Sequence, residues 1–135
     1  MGLVDRAPNV GDVARQFEAA CGRAHGVQCD IADRSSVARM LVDVTAALGP
    51  VDVLVNAHGI NPNVRLLEMD DAEWDDVFAI NARGTMLTCQ AVAKQMIARS
   101  AHGSIVNISS AAADSPRAGG AAYSGSKATC TSTST

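Results

Sequence analysis

Short runs of β-branched residues, separated by longer stretches of helical period, leave this chain few architectures. Val51-Asp52-Val53-Leu54-Val55 and Ser104-Ile105-Val106-Asn107-Ile108-Ser109 read as strands. Residues 2–4 form an apolar stub closed by Asp5, and residues 26–30 a short strand. In residues 11–21, Val13, Phe17, Ala20 and Cys21 fall at helical spacing, and Gly22 is placed to end that helix. Ser35 or Ser36 is the expected cap of a second helix, whose stripe is Val37, Met40, Leu41, Val44, Ala47 and Leu48; Gly49-Pro50 stops it. Asp70 or Asp71 is expected to cap a long helical stretch over residues 72–98, interrupted near 81–84, and another helix starts at Ala122. Parallel strands need crossovers of a dozen or more residues, and this alternation supplies them. The fold class is therefore α/β with a doubly wound parallel sheet. The apolar runs at 51–55 and 105–108 are expected to be buried on both faces.

Composition narrows the function. The 135 residues carry a net charge of −3 and no basic cluster, which removes the footprint of a nucleic-acid binder. No apolar run is long enough to span a bilayer. The opening Met-Gly-Leu-Val-Asp-Arg has no basic stretch leading into an apolar one, so a cytoplasmic location is expected. Cys21, Cys29, Cys89 and Cys130 have no zinc-ligand spacing, nor do His25, His58 and His102. The cysteines read as small apolar groups kept reduced, and no metal site is expected.

Chemistry concentrates near the C-terminal end. Tyr123 is the only tyrosine, and one of only two lysines, Lys127, follows it by four residues. On a helix that spacing shares a face. A free phenol titrates near pKa 10, so acid/base work at neutral pH needs a cation beside it, and one ammonium about 4 Å away is strong enough. Ser110 follows a strand and precedes the helix that carries Tyr123, at the strand end where doubly wound sheets bind ligands. Upstream, Asn56 and Gly59 lie in the turn after another strand, where a glycine lets backbone approach a flat ligand.

In this arrangement the chain resembles the short-chain dehydrogenases/reductases, nicotinamide-dependent oxidoreductases on a Rossmann-like fold. The resemblance runs from Leu3 to about Thr129. Asp30-Ile31 is similar to the family's adenine-contacting pair, and Asn56-Ala57-His58-Gly59 to its N-N-A-G motif. Asn81 matches the catalytic asparagine, Ser110 the catalytic serine, and Tyr123 with Lys127 the Y-x-x-x-K motif. The resemblance implies that Tyr123 is the general acid/base and that Lys127 assists it while bonding the nicotinamide ribose. It further implies that Ser110 polarises a substrate carbonyl and that Asn81 holds a relay water. Asp5, Asp30, Ile31, Asn56, Ala57, Gly59, Tyr123 and Lys127 are the implied cofactor contacts. Substrates would be small carbonyl or alcohol compounds.

Asp5 sits where an acidic residue accepts from the adenosine ribose and repels a 2′-phosphate, which favours NAD; Arg6 beside it leaves room for NADP. Ala57 and His58 depart from N-N-A-G, and His58 is expected to face solvent. The larger departure is that neither G-x-x-x-G-x-G nor G-x-G-x-x-G occurs anywhere. The sheet is thus expected to be incomplete, without the first strand with its Gly-rich turn and without the C-terminal strands. Residues 1–129 read as a partial NAD(P)-binding Rossmann domain, and 130–135 as a frayed tail. The 135 residues alone are expected to be an inactive fragment of an enzyme whose full-length form is a homo-oligomer. A non-catalytic remnant or interaction protein is the alternative. Ser124-Gly125-Ser126-Lys127 also fits the S-x-x-K of serine acyl-enzymes, without the accompanying S-D-N and K-T-G.

Overall fold

A computed structural model describes residues 1–132. The elements run β1 (Gly2–Asp5), α1 (Val10–Cys21), β2 (His25–Gln28), α2 (Arg34–Leu48), β3 (Val53–Asn56), α3 (Asp71–Phe78), a π-helical segment (Ala79–Arg83), α4 (Gly84–Ala98), β4 (Ser104–Asn107), a 3₁₀ turn (Ala111–Ala113) and α5 (Ala121–Ser132). The strands form two separate two-stranded parallel sheets, β1 with β2 and β3 with β4. This is the α/β class with parallel strands and a partial sheet.

The chain packs as two compact units, Met1–Asp52 with Gln90–Gly103, and Val53–Cys89 with Ser104 onward. In the first, β1 and β2 pair from Gly2↔His25 to Asp5↔Gln28, with α1 as the crossover. Val10 and Ala14 of α1, Val27 of β2, and Val37, Met40 and Val44 of α2 are buried. They are the apolar stripes of two amphipathic helices closing on a strand. Helix α1 lies so close to β2 that a Cβ at Gly26 would come within 2.6 Å of the Val10 carbonyl oxygen. The later turns of α4 add Val92 and Met96 to this core. Gln95 ties them in, donating to Thr45 Oγ1 at 2.8 Å and accepting from the Val51 amide at 2.9 Å.

Helix α2 corrects one expectation. Its cap is Asp33, whose carboxylate accepts from the Ser35 and Ser36 amides at 3.1 and 2.9 Å, so the two serines lie inside the first turn. A carboxylate at this end also complements the helix dipole. Of the two expected candidates for the cap of α3, Asp70 is the one used, in a reciprocal box with Glu73.

In the second unit β3 and β4 pair from Val53↔Ser104 to Asn56↔Asn107. Expected burial on both faces does not hold here. Val53, Val55, Val106 and Ile108 are exposed, because alternate residues of a strand point to opposite faces and only one face of this pair is covered. Val77, Leu87, Ala122 and Cys130 form the core. Trp74 and Phe78 of α3 stack with ring centroids 4.9 Å apart, and Phe78 packs over Gly125 of α5. The tail expectation is also corrected. Helix α5 continues through Ser132 because Cys130 is buried, anchoring a sequence of low helix propensity; residues 133–135 lie outside the described part.

Candidate active site

Within the second unit, the turn after β3 meets the π-helical segment and α5. The π segment is marked by the Gly84 amide, which donates to the Ala79 carbonyl five residues back. The wide turn frees the Asn81 carbonyl, and Thr85 Oγ1 donates to it at 2.7 Å. Asn81 is fully buried. Its Oδ1 accepts from the Ile60 amide at 2.8 Å, and its Nδ2 donates to the Ile60 carbonyl at 3.0 Å and to Ser126 Oγ at 2.9 Å. One carboxamide thus clamps the loop after β3 to α5. A side chain engaged in this way is a positioning group.

Lys127 is 4% exposed. Its Nζ donates to the His58 carbonyl at 3.0 Å and the Ile108 carbonyl at 2.9 Å, joining the loops after both strands. Among the described residues no carboxylate pairs with it. Burying an ammonium is costly unless it is satisfied, and two carbonyls leave its third N–H available. Ser109 Oγ donates to the Lys127 carbonyl at 2.9 Å and fixes the same stretch of helix. A Cβ at Gly59 would lie 3.2 Å from Lys127 Cε and Nζ and 3.3 Å from Asn81 Oδ1. The glycine there spares both side chains a tight contact.

His58 does not face solvent. Its Nε2 lies 3.0 Å from Thr85 Oγ1, and it is mostly withdrawn from water. Burial, then the nearby Lys127 charge, pushes the imidazole down to about 4, against a hydrogen bond with the Ile80 backbone that favours the charged form. It is neutral at physiological pH.

Asn56 is buried, donating to Asn107 Oδ1 at 2.9 Å and accepting from Thr88 Oγ1 at 2.8 Å. It cross-links β3, β4 and α4, while Ala57 next to it is exposed. Ser110 caps the 3₁₀ turn, its Oγ accepting from the Ala112 amide at 3.2 Å. It lines a cavity of about 440 Å³ together with Tyr123, Ser124 and Arg117. Ser110, Asn81, Tyr123 and Lys127 therefore belong to one unit. Asp5, Asp30 and Ile31 belong to the other, at the carboxyl ends of β1 and β2. Asp5 accepts from the Ala7 amide at 2.8 Å and Asp30 from the Ala32 amide at 2.9 Å; both are exposed.

Sequence reading missed Ser126, Thr85, Thr88 and Asn107. The available signal was a Thr four residues after Asn81 and another four after Gly84, the spacing at which a hydroxyl bonds back to a helical carbonyl. The S-x-x-K alternative finds no support in the geometry. Ser124 Oγ has no hydrogen-bond partner among the described residues, and Lys127 is committed to two carbonyls.

The whole length, residues 1–135, matches the family model of the short chain dehydrogenases, and the chain belongs to that family. It is 45% identical over 94 residues to the short-chain reductase protein NovJ of Streptomyces niveus, covering 70% of this chain and 36% of that protein. It is 40% identical over 101 residues to a D-threitol dehydrogenase of Mycolicibacterium smegmatis, covering 75% and 38% respectively. A metagenomic short-chain oxidoreductase, solved in complex with NADP, superposes with a TM-score of 0.86 at 38% identity, over 97% of this chain and 60% of that one. The chain thus spans well under half the length of these two curated relatives.

Proposed function

We propose that these residues form the reacting end of a hydride-transfer oxidoreductase acting between NAD(P) and a small carbonyl or alcohol compound. The observation that carries this reading is the buried Lys127 ammonium, one helical turn from Tyr123, held by two carbonyls and, among the described residues, by no carboxylate. A buried cation with one N–H to spare fits a ribose hydroxyl, and the Gly59 cradle lets a flat group approach. The nicotinamide supplies or accepts the hydride when bound.

In the oxidation direction Tyr123 Oη, as phenolate, takes the substrate hydroxyl proton. The carbinol carbon gives up its hydride, and the C=O bond forms. In reduction the same phenol returns the proton to the carbonyl oxygen. Ser110 donates to that oxygen, and Lys127 stabilises the phenolate by its charge. Asn81 orders Ile60 and Ser126 around this centre and is assigned the relay water. Asp5, at the end of β1, favours NAD by repelling a 2′-phosphate, although the solved relative above holds NADP. The full-length form is assigned to the cytoplasm as a homo-oligomer.

No glycine-rich phosphate turn lies within residues 1–135. Turnover is accordingly assigned to a protein carrying such a turn with these residues, and the 135 residues alone are inactive. The test joins residues 1–135 to the strand, glycine-rich turn, helix and C-terminal segment of a structural relative, and supplies NADH deuterated at C4 with a panel of ketones. Deuterium on the carbinol carbon of the product supports the reading. A folded chimera that binds NADH and transfers no deuterium to any ketone favours the non-catalytic remnant.

A further inference from the structure

The loop after β3 is attached at two points to the helical stretch that follows it. Ile60 is held at one: its amide donates to Asn81 Oδ1 at 2.8 Å, and its carbonyl accepts from Asn81 Nδ2 at 3.0 Å. His58 is held at the other, with its Nε2 3.0 Å from Thr85 Oγ1. Asn81 and Thr85 stand about one turn apart and are themselves joined, since Thr85 Oγ1 donates to the Asn81 carbonyl at 2.7 Å. Gly59 lies between the two attachments. A glycine has more backbone freedom than any other residue, so a single attachment would leave the peptide between His58 and Gly59 able to turn.

That peptide presents the carbonyl on which Lys127 depends. Lys127 Nζ donates to the carbonyls of Ile108 and His58, and the two are secured differently. Ile108 is fixed by the sheet, because its amide donates to the Asn56 carbonyl at 2.9 Å and continues the ladder of β3 with β4. His58 lies past the end of β3, outside that ladder. Its carbonyl takes its direction from the attachments on either side of Gly59. Thr85 is buried, so its bond to the imidazole forms in surroundings of low dielectric, where hydrogen bonds are stronger. His58 stands at the alanine of N-N-A-G, and an alanine there has no ring with which to reach Thr85.

We infer that His58 and Thr85 are positioning residues for the reaction: the bond between them aims the His58 carbonyl at Lys127 and so sets where the ammonium is held. Both act through Lys127. Their part in the reaction rests on the reading of Lys127 and Tyr123 as its working pair.

The test is NMR on residues 1–135 with lysine labelled by nitrogen-15 at Nζ. The sequence has only two lysines and Lys94 is exposed, so the ammonium signal that exchanges slowly with water in the cold is that of Lys127. His58→Ala and Thr85→Val each speed that exchange about fivefold or more, the size of one hydrogen bond. In His58→Ala the protection of the Ile60 amide stays within about twofold of the parent, because its bond to Asn81 is untouched. Thr85→Val keeps the branched shape and removes the hydroxyl, and Thr85→Ser, which restores the hydroxyl, returns the exchange to that of the parent. Four results overturn the inference: ammonium exchange unchanged in either variant, equal losses at the ammonium and at Ile60 in His58→Ala, a Thr85→Ser variant that behaves as the valine one, or a parent chain with no protected ammonium. Turnover does not enter this measurement. A failure of hydride transfer in the deuterium experiment above is therefore read apart from a failure of the positioning bond.

Discussion

Lys127 Nζ donates to the main-chain carbonyl of His58 at 3.0 Å, and the imidazole of that histidine is held down at about 4. The lysine therefore fixes the histidine's backbone and opposes its protonation. The hydrogen bond ties the loop after β3 to α5.

A pH dependence follows. Because the folded-state pKa of His58 is depressed from 6.5 to about 4, the unfolded chain binds the proton more readily across that window. The contribution to stability is complete above pH 6.5 and falls as pH drops toward 4, by about 2 kcal/mol once partial solvent access is discounted. Urea denaturation from pH 7 downward reads this loss. His58→Gln flattens the profile, and NMR titration shows one of the three histidines titrating near 4.

Gly59→Ala tests the steric cradle. The added methyl meets Lys127 Cε and Nζ at 3.2 Å and Asn81 Oδ1 at 3.3 Å, so these side chains must give by a few tenths of an ångström against the hydrogen bonds that hold them. We expect a loss of about 1–3 kcal/mol in chemical denaturation. A stability equal to that of the parent chain would show that the lysine can yield without cost.

Asn81→Ala removes the clamp on Ile60 and leaves the Ile60 amide without its acceptor at 2.8 Å. Hydrogen exchange at that amide should accelerate strongly, and global stability should fall by about 3 kcal/mol for loss of a buried, multiply bonded side chain. Unchanged protection at Ile60 contradicts the clamp.

Calorimetry of residues 1–135 with NAD should show no micromolar affinity, since the helix N-terminus that holds a pyrophosphate has no counterpart among the motifs of this sequence. Micromolar binding would contradict the proposed inactivity of residues 1–135.

Much of the fold was legible because its signals are local. β-branched runs marked β3 and β4, and short apolar stretches marked β1 and β2, each within about two residues, and Gly22 and Gly49 ended their helices, at φ +88° and +94°. The interruption expected near Asn81 is the π-helical segment. What stayed hidden depends on partners distant in sequence. Nothing around His58 announces that Thr85, 27 residues on, will bond its imidazole, or that Asn56 will spend its carboxamide on Asn107 and Thr88. The cap of α2 was misplaced because Asp33 and two serines are each competent caps, and only backbone geometry chooses the extended residue, here Asp33 at φ −101° and ψ 117°. Burial of Cys130, which holds the end of α5, likewise comes from tertiary contact.

The role of Tyr123 is tested by the turnover of Tyr123→Phe in the chimera described above, measured with NAD affinity on the same samples. The expected loss in kcat is about 10²–10⁴, with NAD binding within about twofold of the parent. Turnover retained by Tyr123→Phe would contradict the role given to the only tyrosine in the sequence.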